Sequence, residues 1–484
     1  MRQQTLNDTW RRLQAAFLSN VGDTNPFEIS SGTMVVVPSL TLPEDELKDL
    51  VGSQFYEERL LFLMLRLRKP DIHLVFLSTA DIAPEIIDYY LDLVSRHGPI
   101  RKRLTLVSVG DTGQQPLTTK TLEHPEVITS VRNIIQVHSN TFLLPFIVTN
   151  QEEELAARLG IPIYGMPSRA ARFGEKSGGR RIARVAHVPL VEGIEDIRSP
   201  EDIQAAFTRL CPKESERAVL KLNDSFSGLG NVILSREADG GAVAVADLMW
   251  ARLPQGVTAW EDYLHRIFLR RGTMERMLEG PLSAPSVQML IKPGYPPEVV
   301  STHDQILGGQ SNQTYVGCKF PANEQYRDIV IKYARQVADV LVKHDVVGFF
   351  SVDFLVSSPQ NQVYFGEINL RLGGTSHPFA ICRYLTNAVY DEVTGLLMSP
   401  LGPRYYVASD NVQHDRLIGK TPADILKAMS TTGLLFDHSR LVGITLHQLG
   451  SVPGSGKLGI CSIAASSEEA RSGFHSAMNA LVRS

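Results

Sequence analysis

Apolar runs of two kinds alternate through the first third of the chain. "TMVVVPS", "DIHLVFLS", "RLTLVSVG" and "FLLPFIVTN" are short and β-branched. "QFYEERLLFLMLRLR", "APEIIDYYLDLVSRH" and "QEEELAARLG" carry apolar positions at helical spacing. Strands alternating with helices over residues 33–164 predict a parallel sheet with crossover helices, an α/β layer. From 165 to about 405 the texture changes to longer loops, antiparallel strand signals and glycine clusters, an α+β pattern. The last segment, 406–484, predicts two strands around "GSVPGSGKLG" and a closing helix, "SSEEARSGFHSAMNALV", capped by Ser466 or Ser467. Three domains follow: 1–164, 165–405 with a lobe at about 175–280, and 406–484.

Composition narrows the class. A chain of 484 residues is too long for one ordinary core. A net charge of -4, with no dense Lys/Arg tract, gives no field for nucleic acid. Cys211, Cys318, Cys382 and Cys461 are spaced for neither zinc nor a disulfide framework, so a reduced, cytoplasmic protein is expected. The N-terminal stretch, with Leu6, Trp10, Leu13 and Phe17 at helical spacing, predicts a surface helix and no membrane span.

"GSVPGSGKLG" imitates a phosphate-binding P-loop but fails it. Aligned on Gly456 and Lys457, the pattern puts Ser451 at the first glycine and Leu458 at the hydroxyl position, and a strand follows where a helix is needed. A plain surface turn is expected. The first strand ends "VVVPSLTLP" without a dinucleotide fingerprint, so the first domain reads as structural or dimerising.

Candidate chemistry concentrates in "GFFSVDFLVSSPQNQVYFGEINLRLGGTSHP", 348–378, a hairpin about "SSPQNQ". Pairing Ser357 with Val363 sets Asp353 opposite Glu367, with Asn369 on the same face and Arg371 continuing the alternation. Opposed buried carboxylates repel, and a divalent cation removes the repulsion. Two carboxylates and an amide oxygen suit magnesium. In "AVLKLNDSFSGLGNVIL", Lys221 sits in an apolar strand ahead of a glycine loop able to fold over polyphosphate. Lys176 in "RFGEKSGGRRIA" is a second candidate phosphate contact, and "TMERMLEG" is a short connector able to meet an adenine edge.

Together these segments resemble the ATP-grasp superfamily. With "GTSHP", "PSVQMLI", "STHDQIL" and the α/β first domain, they are most similar to the pheganomycin-type peptide ligases with a pre-ATP-grasp domain. The resemblance implies an ATP-dependent carboxylate–amine ligase working through an acyl phosphate, in natural-product biosynthesis. Its substrates would be an amino acid-like carboxylic acid and an amine from an amino acid or peptide. ATP and two magnesium ions would be required, and a homodimer is left open. Lys176 and Lys221 would contact phosphates; Ser227, Gly228, Leu229 and Gly230 would form the lid. Glu275 and Met277 would hold the adenine edge through their backbones, and Glu279 the ribose. Asp353, Glu367 and Asn369 would bind magnesium, Arg371 would steady the transferred phosphoryl group, and Gly373 and Gly374 would supply oxyanion donors. An ATP-grasp carboxylase or a silent nucleotide-binding scaffold stays open, and His303, Asp304 and His377 receive no role.

Overall fold

The computed structural model describes residues 8–9, 11–15, 17, 25, 27–43, 47–48, 50, 52–94, 99–213, 215–225, 230–236, 248–250, 260–280, 282–308 and 314–483. Three sheets organise them. The first has four parallel strands in the order Leu104–Ser108, Asp71–Ser78, Ser31–Val37, Thr141–Pro145. The helices Leu117–Glu123 and Pro125–Ile135, which the hydrophobic pattern had not marked, and Asn150–Leu159 pack against it. On its other face lies the helical segment Ser53–Arg68, buried throughout 57–67. A helix buried on every side must satisfy its charges internally. Here Glu57 accepts from Thr79, Glu58 from Gly450 N, and Arg59 pairs with Asp410 at 3.1 Å.

The N-terminal helix lies on the surface, with Asp8, Arg11, Arg12 and Ala15 exposed, and is anchored by Phe17, which is buried edge-on to Tyr164 with ring centroids 5.4 Å apart. Leu6 and Trp10 lie outside the described residues.

A five-stranded antiparallel sheet forms the lobe, in the order Gly193–Ile197, Gly272–Arg276, Ala218–Leu222, Asn231–Arg236, Leu248–Trp250. Phe207 and Leu210 of one helix and Tyr263 and Ile267 of another join Leu220 and Val232 in its core. The third sheet has eleven strands. At its centre Pro285–Ile291 lies between Glu298–Gly308 and Gly348–Ser357, and Gly348–Ser357 is also paired with Gln362–Asn369. The helix Glu324–Val342 covers this region through Val330, Ala334, Val337 and Leu341 against Val287, Val352 and Phe354. Each such apolar side chain contributes roughly 1.5–3 kcal/mol on burial.

The strand Gly402–Gln413 runs across residue 405, and Lys457–Ala464 and then Gly443–His447 extend the sheet from it. The closing helix begins at Ser467, with Ser466 Oγ accepting from Glu469 N. "GSVPGSGKLG" is no surface turn. Lys457 and Ser451 are buried, and Lys457 Nζ donates to Tyr56 OH at 2.7 Å. All four cysteines are buried and free. Among the described residues no helix is long and apolar enough to cross a membrane.

Candidate active site

The carboxylate pair forms by a route the turn alone does not give. Ser357 pairs with Gln362, one residue from the expected Val363. A bulge at Asp353/Phe354 then restores the face, so that Asp353 stands opposite Glu367 and Ser351 opposite Asn369. Gly366 makes the bulge: a Cβ there would sit 2.9 Å from Asp353 O. Glycine within a strand marks such close backbone approaches.

Around this pair the polar atoms converge. Asn369 Nδ2 donates to Asp353 Oδ2 at 3.0 Å and to Glu367 Oε1 at 3.1 Å, while Asn369 Oδ1 accepts from Arg371 Nη2 at 2.9 Å. Ser286 Oγ donates to Asp353 Oδ1 at 2.6 Å. Lys176 Nζ reaches Glu367 Oε2 at 2.5 Å and Ser225 O at 2.8 Å. Burial, then the Glu367 charge, pushes Asp353 up to about 7. Burial also acts to raise Glu367, but Lys176 and Asn369 outweigh it and hold that carboxyl down to about 2. One acid is thus ionised, and the other is pushed toward the neutral form by burial first and by its neighbour's charge second.

Lys176 is placed by packing glycines. It opens the helix Lys176–Val185. A Cβ on Gly178 would lie 1.8 Å from Arg172 O, and one on Gly179 would lie 3.2 Å from Phe365. Only a glycine pair lets this helix approach both the preceding turn and the strand that bears Glu367. Asn223 fixes the helix start: its O accepts from Lys176 N at 2.8 Å and its Oδ1 from Ser177 Oγ at 2.8 Å.

Lys221 is not a surface lysine. Its Nζ meets Glu275 Oε2 at 2.5 Å, and Arg180, whose side chain is 2% exposed, meets Glu275 Oε1 at 2.8 Å. Burial raises the Glu275 carboxyl, but the two cations hold it below the ordinary range. Glu275 therefore lies inside a strand, in the ladder with Val219 and Gly193, and not in an open connector. The Met277 N–H already donates to Arg217 O at 2.8 Å, so this donor is not free for an adenine edge. Glu279 stands exposed beyond it.

Gly373 N donates to Ser376 Oγ at 2.9 Å, which removes it as an oxyanion donor, and Gly374 approaches the Tyr315 ring so closely that a Cβ would lie 2.6 Å from it. Ser227, Gly228 and Leu229 lie outside the described residues. Gly230 is described and packs where a Cβ would meet Ser225 at 2.6 Å.

The three residues without an assigned role each have a partner within the fold. Asp304 accepts from Tyr326 OH at 2.7 Å. His303 Nε2 meets Tyr406 OH, and burial pushes His303 down to about 3. His377 and His447 face each other, Nε2 to Nε2, at 2.9 Å. Ser286 was overlooked in the sequence, although "PSVQML" alternates Ser286 and Gln288 with apolar residues, the signature of a strand with one polar face.

Among the described residues no three His, Cys, Asp or Glu side chains cluster. Magnesium does not need such a cluster, since one or two carboxylates and a substrate's phosphates hold it. The pair fits that ion. Two carboxylates are forced together, and the Asn369 amide N–H supplies between them the positive charge a cation would bring. Turning the amide presents Oδ1 instead, an assignment the hydrogen-bond network decides.

Two α+β lobes flanking a carboxylate pair that Lys176 contacts, behind a parallel sheet, make an arrangement of the ATP-grasp kind. Comparison with known proteins agrees. The family "IQCH-like, ATP-grasp" matches residues 255–392, "Pre ATP-grasp domain" residues 74–161 and "PGM1 C-terminal domain" residues 424–473. The chain is 27% identical to the L-propargylglycine–L-glutamate ligase of Streptantibioticus cattleyicolor, over 97% of this chain and 98% of that protein. It is 20% identical to IQ motif-containing protein H of Danio rerio, over 73% of this chain and 38% of that one. Similar solved structures include a biotin carboxylase–β,γ-ATP complex from Campylobacter jejuni, with a TM-score of 0.56, 13% identity and coverage of 95% and 96%. Another is an N5-carboxyaminoimidazole ribonucleotide synthetase with ADP, with a TM-score of 0.54, 13% identity and coverage of 92% and 96%. Residues 255–392 thus match an ATP-grasp family and residues 74–161 a pre-ATP-grasp domain.

Proposed function

We propose that this protein is an ATP-dependent ligase that joins the carboxylate of one amino acid-like substrate to the amine of an amino acid or peptide, as part of natural-product biosynthesis. The observation that carries the reading is the opposition of Asp353 and Glu367, with Lys176, Asn369 and Arg371 in contact, where the lobe meets the large sheet. Near full-length similarity to a ligase named for a pair of amino acids supports the substrate class. The four buried thiols fit a reducing compartment, and the cytoplasm is the one we assign.

In the reaction a carboxylate oxygen of the acid attacks the γ-phosphorus of ATP. A phosphorus–oxygen bond forms as the bond to the bridging oxygen breaks, and ADP leaves. The amine nitrogen then attacks the acyl carbon, loses its proton, and phosphate departs, leaving an amide. Magnesium held by Asp353, Glu367 and Asn369 would neutralise phosphate charge. Lys176 and Lys221 would orient the phosphates, and Arg371 would steady the transferred group. A closed hairpin would exclude the water that hydrolyses an acyl phosphate.

The test is ADP release with pooled amino acids and short peptides. Release that needs both an acid and an amine, and that is lost in Glu367→Gln at unchanged melting temperature, supports the ligase. Release with bicarbonate alone would make it a carboxylase, and nucleotide binding without turnover a scaffold.

A further inference from the structure

The loop that imitates a P-loop walls a second cavity, of 360 Å³, between the first domain and the C-terminal segment. Its floor lies outside the carboxyl ends of the parallel strands, where open α/β sheets hold ligands. Thr79 follows one strand, and Gly113 lies between another and the helix Leu117–Glu123. Its roof is Ser451, Gly454 and Ser455, anchored by Gly450 N on Glu58 and Lys457 Nζ on Tyr56. None of the residues around the carboxylate pair lines it.

Two buried, opposite charges face this space. Glu57 takes Thr79 N at 2.8 Å and Thr79 Oγ1 at 2.5 Å, one on each oxygen, and each oxygen keeps a lone pair. Lys120, 1% exposed, gives one of three N–H groups to Gly113 O at 2.6 Å. The two side chains influence each other, and Asp111 also acts on Lys120, yet among the described residues no ion pair joins Glu57 to Lys120. An anion alone would meet Glu57, and a cation alone would meet Lys120. A ligand carrying both charges satisfies both walls. The volume is at the small end of ligand pockets, roughly 300–1,000 Å³, which suits one amino acid.

We propose that this cavity is a binding site for a free α-amino acid, its ammonium on Glu57 and its carboxylate on Lys120, separate from the ATP cleft. Differential scanning fluorimetry of the full chain without ATP reads it, with each standard amino acid as a probe. N-acetyl-L-alanine and L-alaninamide serve as controls lacking one charge. Binding is read without turnover, so the outcome is independent of the ligase reaction. At least one free amino acid should raise the melting temperature with concentration while both controls do not. Glu57→Gln should weaken that ligand roughly ten- to a hundredfold, and Arg371→Ala should leave it unchanged. Should Glu57→Gln fail to fold, Gly454→Trp decides in the same way, since a Cβ on Gly454 meets nothing within 4 Å. No shift with any amino acid, or a shift that survives the cavity variant, overturns the proposal.

Discussion

Replacing Asp353 by asparagine should make the ligand-free protein more stable and at the same time inactive. Between an ordinary 3.8 and about 7, the cost of ionising Asp353 in the folded chain grows to about 4 kcal/mol at roughly 1.36 kcal/mol per pH unit. The pair is half-buried, Glu367 being 23% exposed, so solvent trims this figure. An amide at 353 also loses a hydrogen bond that its nitrogen cannot accept, from Ser286 or Asn369, at about 1 kcal/mol. The net gain near pH 8 is about 2 kcal/mol.

The sign follows from the raised folded-state value. The stability contributed by Asp353 is full below 3.8 and is lost as pH rises through about 7. Near pH 5 the wild-type penalty is only about 1–2 kcal/mol, so the advantage of Asp353→Asn shrinks to near zero there. Scanning fluorimetry of both proteins at the two pH values measures it. At about 2–4 °C per kcal/mol for a large domain, the variant should melt several degrees higher near pH 8 and level with wild type near pH 5. Magnesium with a nonhydrolysable ATP analogue should stabilise wild type and not the variant. A variant less stable than wild type near pH 8, or a difference independent of pH, would refute the repulsion on which the metal site is argued.

Arg180→Ala removes the cation shared by buried Glu275 and half-buried Glu195, leaving each with one, Lys221 and Arg184. It should cost about 3–5 kcal/mol, with limited proteolysis detecting early opening within 193–276. Gly366→Ala places a Cβ 2.9 Å from Asp353 O. It should cost about 1–3 kcal/mol and move Glu367 off Asp353, so that nucleotide-dependent stabilisation falls with turnover. Lys176→Met removes the cation that holds Glu367 near 2. It should lower kcat/KM by roughly a hundredfold or more and shift the acid limb of the pH–rate profile upward, which steady-state ADP release resolves.

The parallel sheet was legible because each of its strands is a short apolar run, although the helices Leu117–Glu123 and Pro125–Ile135 before the last of them carried no pattern that marked them. The carboxylate pair was legible for a partly mistaken reason: the turn register was one residue off, and the bulge at Gly366 brought Asp353 back to face Glu367. A turn sequence carries no mark of a bulge several residues away, although a glycine inside an apolar strand hints at one. The Lys221–Glu275 pair joins residues 54 apart in sequence and is settled by strand pairing in the lobe, which local pattern does not contain. Burial of Lys457 likewise comes with Tyr56, 401 residues away in sequence, so a loop rich in glycine and serine reads as surface. The glycines "SGG" after Lys176, ill-suited to a helix start, make sense only through Arg172 and Phe365.

The most direct measurement is a crystal structure grown with manganese and a nonhydrolysable ATP analogue, with anomalous scattering locating the metal. The account expects manganese bound between Asp353 and Glu367, with the Asn369 amide turned to offer its oxygen and the triphosphate beside Lys176. Manganese and nucleotide lodged in the first domain, or these three side chains left without metal beside a bound triphosphate, would contradict it.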